Sequence, residues 1–317
     1  MALSLKEIEA ARERIAGVAI RTPLIKLNDE SPTVAEVYLK LENLQPIGAY
    51  KIRGALNAVR QMTPEQLRDG VLTASAGNMA QGVAWAAREA KVPCVVVAPD
   101  TAPEAKISAI ERLGGRVIKV TFERWWQTFT DRSFPGEAGA FVHPFDDERV
   151  MAGNATIGLE ILEDLPDCDA ILAPWGGGGL ACGIASAIKA TTASCKVYAV
   201  EVDTGAPLGP SLAAGHPVTV TRTPTFIDSM GSATVFPSMF QRAQELLDGA
   251  LSTSVAAVEE AIRTMANRNH VIAEGAGAAA LAVALSGRPG AKRVVCVVSG
   301  GNIDPAEFAR ILTTRAG

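Results

Sequence analysis

Short apolar runs rich in valine and isoleucine alternate along this chain with longer stretches of helical periodicity. That alternation restricts it to βαβ units wound into parallel sheet, so the fold class is α/β. Candidate strands are Val37 to Leu41, Val71 to Ala74, Cys94 to Val97, Arg116 to Val120, Ala170 to Pro174, Val197 to Val202 and Val294 to Val298. Helix starts are marked by a capping side chain with a polar residue three positions on: Ser4 with Glu7, Thr63 with Gln66, Thr101 with Glu104, and Asp304 with Glu307. At 317 residues the chain exceeds what one hydrophobic core usually organises, so two lobes with a cleft between them are expected. The spacing places a smaller lobe at 37–143, inserted between 1–36 and 144–317 of a larger, cofactor-binding lobe.

Charge and cysteine usage exclude several classes of partner. Thirty Lys+Arg against 34 Asp+Glu leave a net charge of -4 with no basic run, so no nucleic acid is expected, and a small solute is. The five cysteines are scattered without a C-x-x-C pair, which argues against a disulfide framework or a zinc site and fits a cytoplasmic location. The opening MALSLKEIEAARERIAG reads as an amphipathic helix and not a signal peptide. The most apolar later run, Gly275 to Leu285, is shorter than the roughly 20 residues a bilayer requires, so no membrane association is expected. His143, His216 and His270 stand in unrelated contexts and support neither a catalytic triad nor a metal site; His143, before Pro144, is expected to fix a turn.

Three polar turns fall at the ends of candidate strands, where parallel sheets present ligands. Trp175-Gly176-Gly177-Gly178-Gly179-Leu180 joins the run ILAP to a helical segment. Glycine lets the backbone approach a ligand, and the helix start adds unpaired amides, so this turn is expected to seat a phosphate, the alternative being a tight turn without a ligand. Gly176, Gly178 and Ala181 also satisfy a loose G-x-G-x-x-G/A pattern with Glu201 about 20 residues on, which keeps a dinucleotide site open. The turn Ser75-Ala76-Gly77-Asn78-Met79-Ala80-Gln81-Gly82 could seat a carboxylate, or Asn78 could be a plain helix cap. Ser299-Gly300-Gly301-Asn302 ends the run VVCVV. Lys51, at a helix start near Arg53, would become a better nucleophile if desolvated.

KLENLQPIGAYKIRGA, SAGNMAQG, HPFDD, AGNATIGLEI, the tetraglycine turn and VSGGN occur in the order of the serine/threonine dehydratase family, pyridoxal-phosphate fold type II, which the chain resembles over most of its length. The resemblance implies two open, twisted, mostly parallel sheets flanked by helices, with the active site between the lobes. It implies pyridoxal 5'-phosphate held by Lys51 as a Schiff base, with Tyr50 flanking the ring, Asn78 at the ring hydroxyl and Ser299 at the ring nitrogen. Gly176, Gly177, Gly178, Gly179 and Leu180 would cradle the phosphate. Ser75, Ala76, Gly77, Asn78, Met79 and Gln81 would grip the substrate. It further implies α,β-elimination of water from a β-hydroxy amino acid and assembly as a homodimer or higher homo-oligomer. The rival readings are a nicotinamide-dependent oxidoreductase, on the loose glycine pattern, and a cofactor-binding protein without turnover.

Departures from the family qualify these expectations. The enzyme implied is like an L-serine or L-threonine ammonia-lyase, but Met79 replaces the usual histidine, which puts threonine in doubt and leaves another β-hydroxy substrate, such as β-hydroxyaspartate or β-phenylserine, as the alternative, with Met79 as a selectivity position. Ala49 replaces a common serine, and Ala76 stands where racemases of the family carry a serine, which disfavours racemisation. Pro207 stands where the family's cation site has a second acid after Glu201, so no metal is expected. Trp125 and Trp126 are read as packing.

Overall fold

The computed structural model describes residues 2–28 and 35–314. Among these residues ten strands form two sheets. The larger contains β1 (Leu24–Lys26), β2 (Glu36–Lys40), β7 (Ala170–Pro174), β8 (Lys196–Val202), β9 (Gly249–Thr253) and β10 (Arg293–Val297), in the order β1-β2-β10-β7-β8-β9. The smaller contains β3 (Val71–Ala74), β4 (Cys94–Pro99), β5 (Gly115–Val120) and β6 (Ala140–Phe141), in the order β5-β4-β3-β6. The pairings of these strands are parallel except β1 with β2. Central strands of such sheets are covered on both faces and therefore carry unbroken apolar runs. β3 and β7 are buried at every position, which is why their sequences read as strands without alternation.

One expected boundary is corrected. β2 pairs in parallel with β10, Val37 opposite Val294, so the strand that would open the smaller lobe belongs to the larger sheet. The helix starts are realised unevenly. Ser4 and Glu7 form a reciprocal capping box, and Asp304 caps Pro305–Thr313. Thr63 and Gln66 exchange hydrogen bonds, but only turns follow. Glu104–Arg112 is preceded by Pro103 at the cap position instead of Thr101, without a capping side chain.

The helix Lys51–Arg60, which carries the candidate lysine, is fixed against the helix Glu148–Asp164. Close approach is required there: a Cβ on Gly153 would lie 2.4 Å from the carbonyl oxygen of Arg53. Beside this contact lies a buried ionic network. The Arg53 guanidinium donates to Glu42 at 2.8 Å and to Glu160 at 2.6 and 2.9 Å, and Lys40 Nζ donates to Glu160 at 2.6 Å. Removing one member leaves an uncompensated buried charge, so Arg53→Met is expected to cost about 3–5 kcal/mol, read as a lower urea midpoint at unchanged slope.

Candidate active site

Lys51 is the first residue of its helix. The loop before it is zipped to the third polar turn. Tyr50 N donates to the Ser299 carbonyl at 3.0 Å and Gly301 N to the Gly48 carbonyl at 2.9 Å, while Asn302 Nδ2 donates to the Ile47 carbonyl at 2.8 Å. Lys51 Nζ donates to the Pro144 carbonyl at 2.8 Å and lies 5.2 Å from the Tyr50 ring centroid. Burial lowers its pKa to about 8, against the pull of Glu274. Arg53 is not the cause, since its guanidinium is 2 % exposed and turned into the ionic network.

The tetraglycine turn meets the loop that holds Pro144. A Cβ on Gly177 would lie 2.0 Å from Cδ1 of Phe145, the residue after Pro144, and one on Gly179 would lie 2.9 Å from the Phe145 Cα. Gly178 has φ of 95° and would place a Cβ 2.4 Å from the buried Trp175 ring. Part of the demand for glycine is thus internal packing, a reason that sequence alone does not distinguish from ligand approach. The helix Gly179–Ala190 follows, its cap supplying no side-chain hydrogen bond, so its first-turn amides have no acceptor within the helix. Leu180 is buried behind them. A run of four residues without side chains, ending on open helix amides, fits a phosphate group.

At the second turn Gly77, not Asn78, caps the helix Asn78–Ala90, and no side chain serves its amides. Ser75 Oγ accepts from Gly77 N at 3.2 Å, Gln81 N donates to the Gly77 carbonyl, and the space beside Gly77 is open. Ala76 carries no polar side chain into this turn. Asn78 Nδ2 donates to Glu274 Oε1 at 2.8 Å, and Asn302 Nδ2 donates to Asn78 Oδ1 at 2.8 Å. Met79 is turned differently from Asn78. One step round the helix from Asn78, its side chain is 2 % exposed and packs in the core with Ile52, Ala55 and Val83. Its side chain thus fills the core beside this turn. Met79→His is therefore expected to cost about 1–3 kcal/mol of stability by burying a polar ring, with the ranking of substrates unchanged.

Glu274 is the residue that sequence reasoning missed. It accepts from Asn78 and, at 3.2 Å, from Ser229 Oγ, and a Cβ on Gly300 would touch it at 2.5 Å, which places it beside the second and third turns. Burial, with Asp228 nearby, pushes its pKa up to about 7 against those hydrogen bonds. The available signal was a lone acid opening the otherwise apolar run 275–285. A carboxyl that binds its proton more tightly when folded contributes stability fully below its ordinary value of 4.5 and loses that contribution as pH rises through about 7. Glu274→Gln should accordingly reduce the fall in unfolding free energy across that window by about 1 kcal/mol per pH unit, measured by urea titrations at stepped pH.

Other singled-out residues serve the scaffold. Glu201 accepts from Leu208 N at 2.8 Å and Gly209 N at 3.0 Å, so both its oxygens are engaged. Among the described residues no cluster of three metal-ligating side chains occurs. His143 Nδ1 accepts from Asp146 N at 2.8 Å and from Phe145 N at 3.3 Å, fixing the turn that holds Pro144. Burial lowers its pKa to about 4, which keeps it an acceptor. Trp125 and Trp126 pack with Phe129, which lies 5.5 Å from Phe145.

A family model described as "Pyridoxal-phosphate dependent enzyme" matches residues 15–300. The L-threonine ammonia-lyase of Thermotoga maritima is 37% identical over 315 residues, covering 98% of this chain and 78% of the relative. That of Geobacter sulfurreducens is 40% identical over 303 residues, covering 94% and 75%. Among solved structures, maize serine racemase superposes with a TM-score of 0.91 at 30% identity, covering 98% of this chain and 97% of the other. The processed form of threonine deaminase isoform 2 from Solanum lycopersicum superposes at 0.85 and 31% identity, covering 99% and 95%.

Proposed function

The chain belongs to the pyridoxal-phosphate dependent enzyme family, and from that premise we propose that it is a dehydratase (ammonia-lyase) converting a β-hydroxy amino acid to a 2-oxo acid and ammonia. The observation that carries the reading is a buried lysine amine and a glycine-lined helix start meeting at one loop, through Pro144 and Phe145.

Bound, pyridoxal phosphate supplies a sink for the electron pair left at the substrate Cα. Lys51 would hold the cofactor, and its amine would take the Cα proton; a pKa near 8 leaves a working fraction unprotonated at neutral pH. The amides of 176–180 would hold the phosphate. Asn78, oriented by Glu274 and Asn302, would meet the ring hydroxyl, and the open amides at the start of the helix Asn78–Ala90 would hold the substrate carboxylate. The Ser299 hydroxyl, neutral and 3% exposed, would face the ring nitrogen. Ala76 offers no hydroxyl to return a proton to the opposite face, which favours elimination over racemisation.

Because Met79 lies in the core, the reason for doubting L-threonine falls away, and L-threonine and L-serine head the panel, with β-hydroxyaspartate and β-phenylserine following. On this reading the smaller lobe would begin after β2, which pairs with β10. Homo-oligomeric assembly and a cytoplasmic location belong to the same reading; among the described residues no helix is long and apolar enough to cross a membrane. Borohydride reduction of the yellow protein followed by peptide mapping should label Lys51, and the panel should yield 2-oxo acid and ammonia. A protein that binds NADH tightly, takes no label at Lys51 and turns over none of the panel would overturn the proposal.

A further inference from the structure

Two of the five scattered cysteines are brought together by the fold. Cys168 precedes β7 and Cys195 precedes β8, strands paired in parallel with Ala170 opposite Lys196, and the two sulfur atoms lie 2.7 Å apart. Both are reduced, at 4% and 6% exposure. The segment between them contains β7, the whole tetraglycine turn and the helix Gly179–Ala190, which is the unit that seats the phosphate in the reading above. They stand at the amino-terminal edge of the sheet, opposite the glycine turn, so they take no part in the chemistry at Lys51. We propose that Cys168 and Cys195 are a redox-sensitive pair that a peroxide closes into a disulfide, lashing together both ends of this strand–turn–helix unit.

The chemistry balances with one peroxide. Cys168 sulfur, as thiolate, attacks a peroxide oxygen, the O–O bond breaks, and the leaving oxygen departs as water after protonation. Cys195 sulfur then attacks the Cys168 sulfenic acid, the S–O bond breaks, and its thiol proton leaves with the hydroxyl as a second water. Two thiols are oxidised and one hydrogen peroxide is reduced. The hydrogen bond between the two thiols lowers Cys168 and raises Cys195, the direction in which Cys168 attacks first. The remaining thiols are disfavoured as peroxide targets. Burial pushes Cys94 and Cys182 up to about 12 and Cys296 in the same direction.

A cross-link stabilises chiefly by restricting the unfolded chain, and this one closes a loop spanning a complete βα unit. The holoenzyme treated with excess hydrogen peroxide should fall from five titratable thiols to three under denaturing conditions, lose the mass of two hydrogens, and give a mapped link between the Cys168 and Cys195 peptides. Its thermal midpoint should rise by roughly 5 °C and return on adding dithiothreitol. Cys168→Ala and Cys195→Ala should lose both responses, while Cys94→Ala keeps them. Five thiols remaining after treatment, a gain of oxygen without a link, or a link that leaves the midpoint unchanged would each overturn the proposal. All three are read on the wild-type protein, so the test survives a variant that fails to fold.

Discussion

Lys51→Ala should lower kcat by at least about 10⁴-fold with every β-hydroxy amino acid in the panel, because the substitution removes both the anchor for the cofactor and the base for the Cα proton. The protein should still fold. Lys51 Nζ donates to the Pro144 carbonyl, whereas the helix start is fixed independently by Tyr50 N on the Ser299 carbonyl and by the Arg53 network. A circular-dichroism spectrum and urea midpoint close to wild type, together with loss of borohydride labelling, would separate lost chemistry from lost structure. Lys51→Arg sharpens the test: it restores a positive charge but cannot shed its proton near neutral pH, so it should be as inactive as the alanine variant. Retention of more than about one per cent of wild-type kcat by either variant would exclude Lys51 as the base.

The parts of this site differ in how far they could be read without coordinates, and the difference is physical. β4, CVVVAP, is legible because a strand covered on both faces must be apolar throughout, and the tetraglycine turn is legible because no helix or strand interior tolerates that composition. β9, GALST, is half-buried and short of apolar residues, while β1 and β6 span three and two residues; a segment that short leaves no period to detect. Lys51 is legible through its motif, and its desolvation is as expected, but the part assigned to Arg53 is not. A guanidinium two positions on along a helix points to another face, and Arg53 spends its charge on Glu42 and Glu160. The same kind of rotation, by one step, packs Met79 into the core while Asn78 reaches Glu274. Glu274 and the Cys168–Cys195 pair were invisible for a related reason. Each becomes meaningful only when residues far apart in sequence, Asn78 with Glu274 or the starts of β7 and β8, are set side by side by the sheet order.

The second large effect is expected at Gly178. Its φ of 95° lies where a β-branched residue is strained, and its Cβ would meet the Trp175 ring at 2.4, 2.6 and 2.9 Å, far inside contact distance. Trp175 is among the largest fully buried side chains and has nowhere to go, so Gly178→Val must move the turn itself. The amides that move with it are those at the start of the helix Gly179–Ala190, whose direction toward a phosphate is what the proposal needs. Displacement on the order of 1 Å commonly costs about 100-fold where positioning decides the outcome, so cofactor affinity should fall by at least that factor in an absorbance titration. Gly215→Val provides the control. Gly215 also has positive φ, 78°, but a Cβ there would meet nothing within 4 Å, and it ends the short helix Leu208–Ala214. The control variant carries comparable backbone strain without displacing the phosphate turn, and should lose stability while binding cofactor as the wild type does. If Gly178→Val also bound cofactor normally, the tetraglycine amides could not be the phosphate seat, and the turn's glycines would be explained by Phe145 and Trp175 alone.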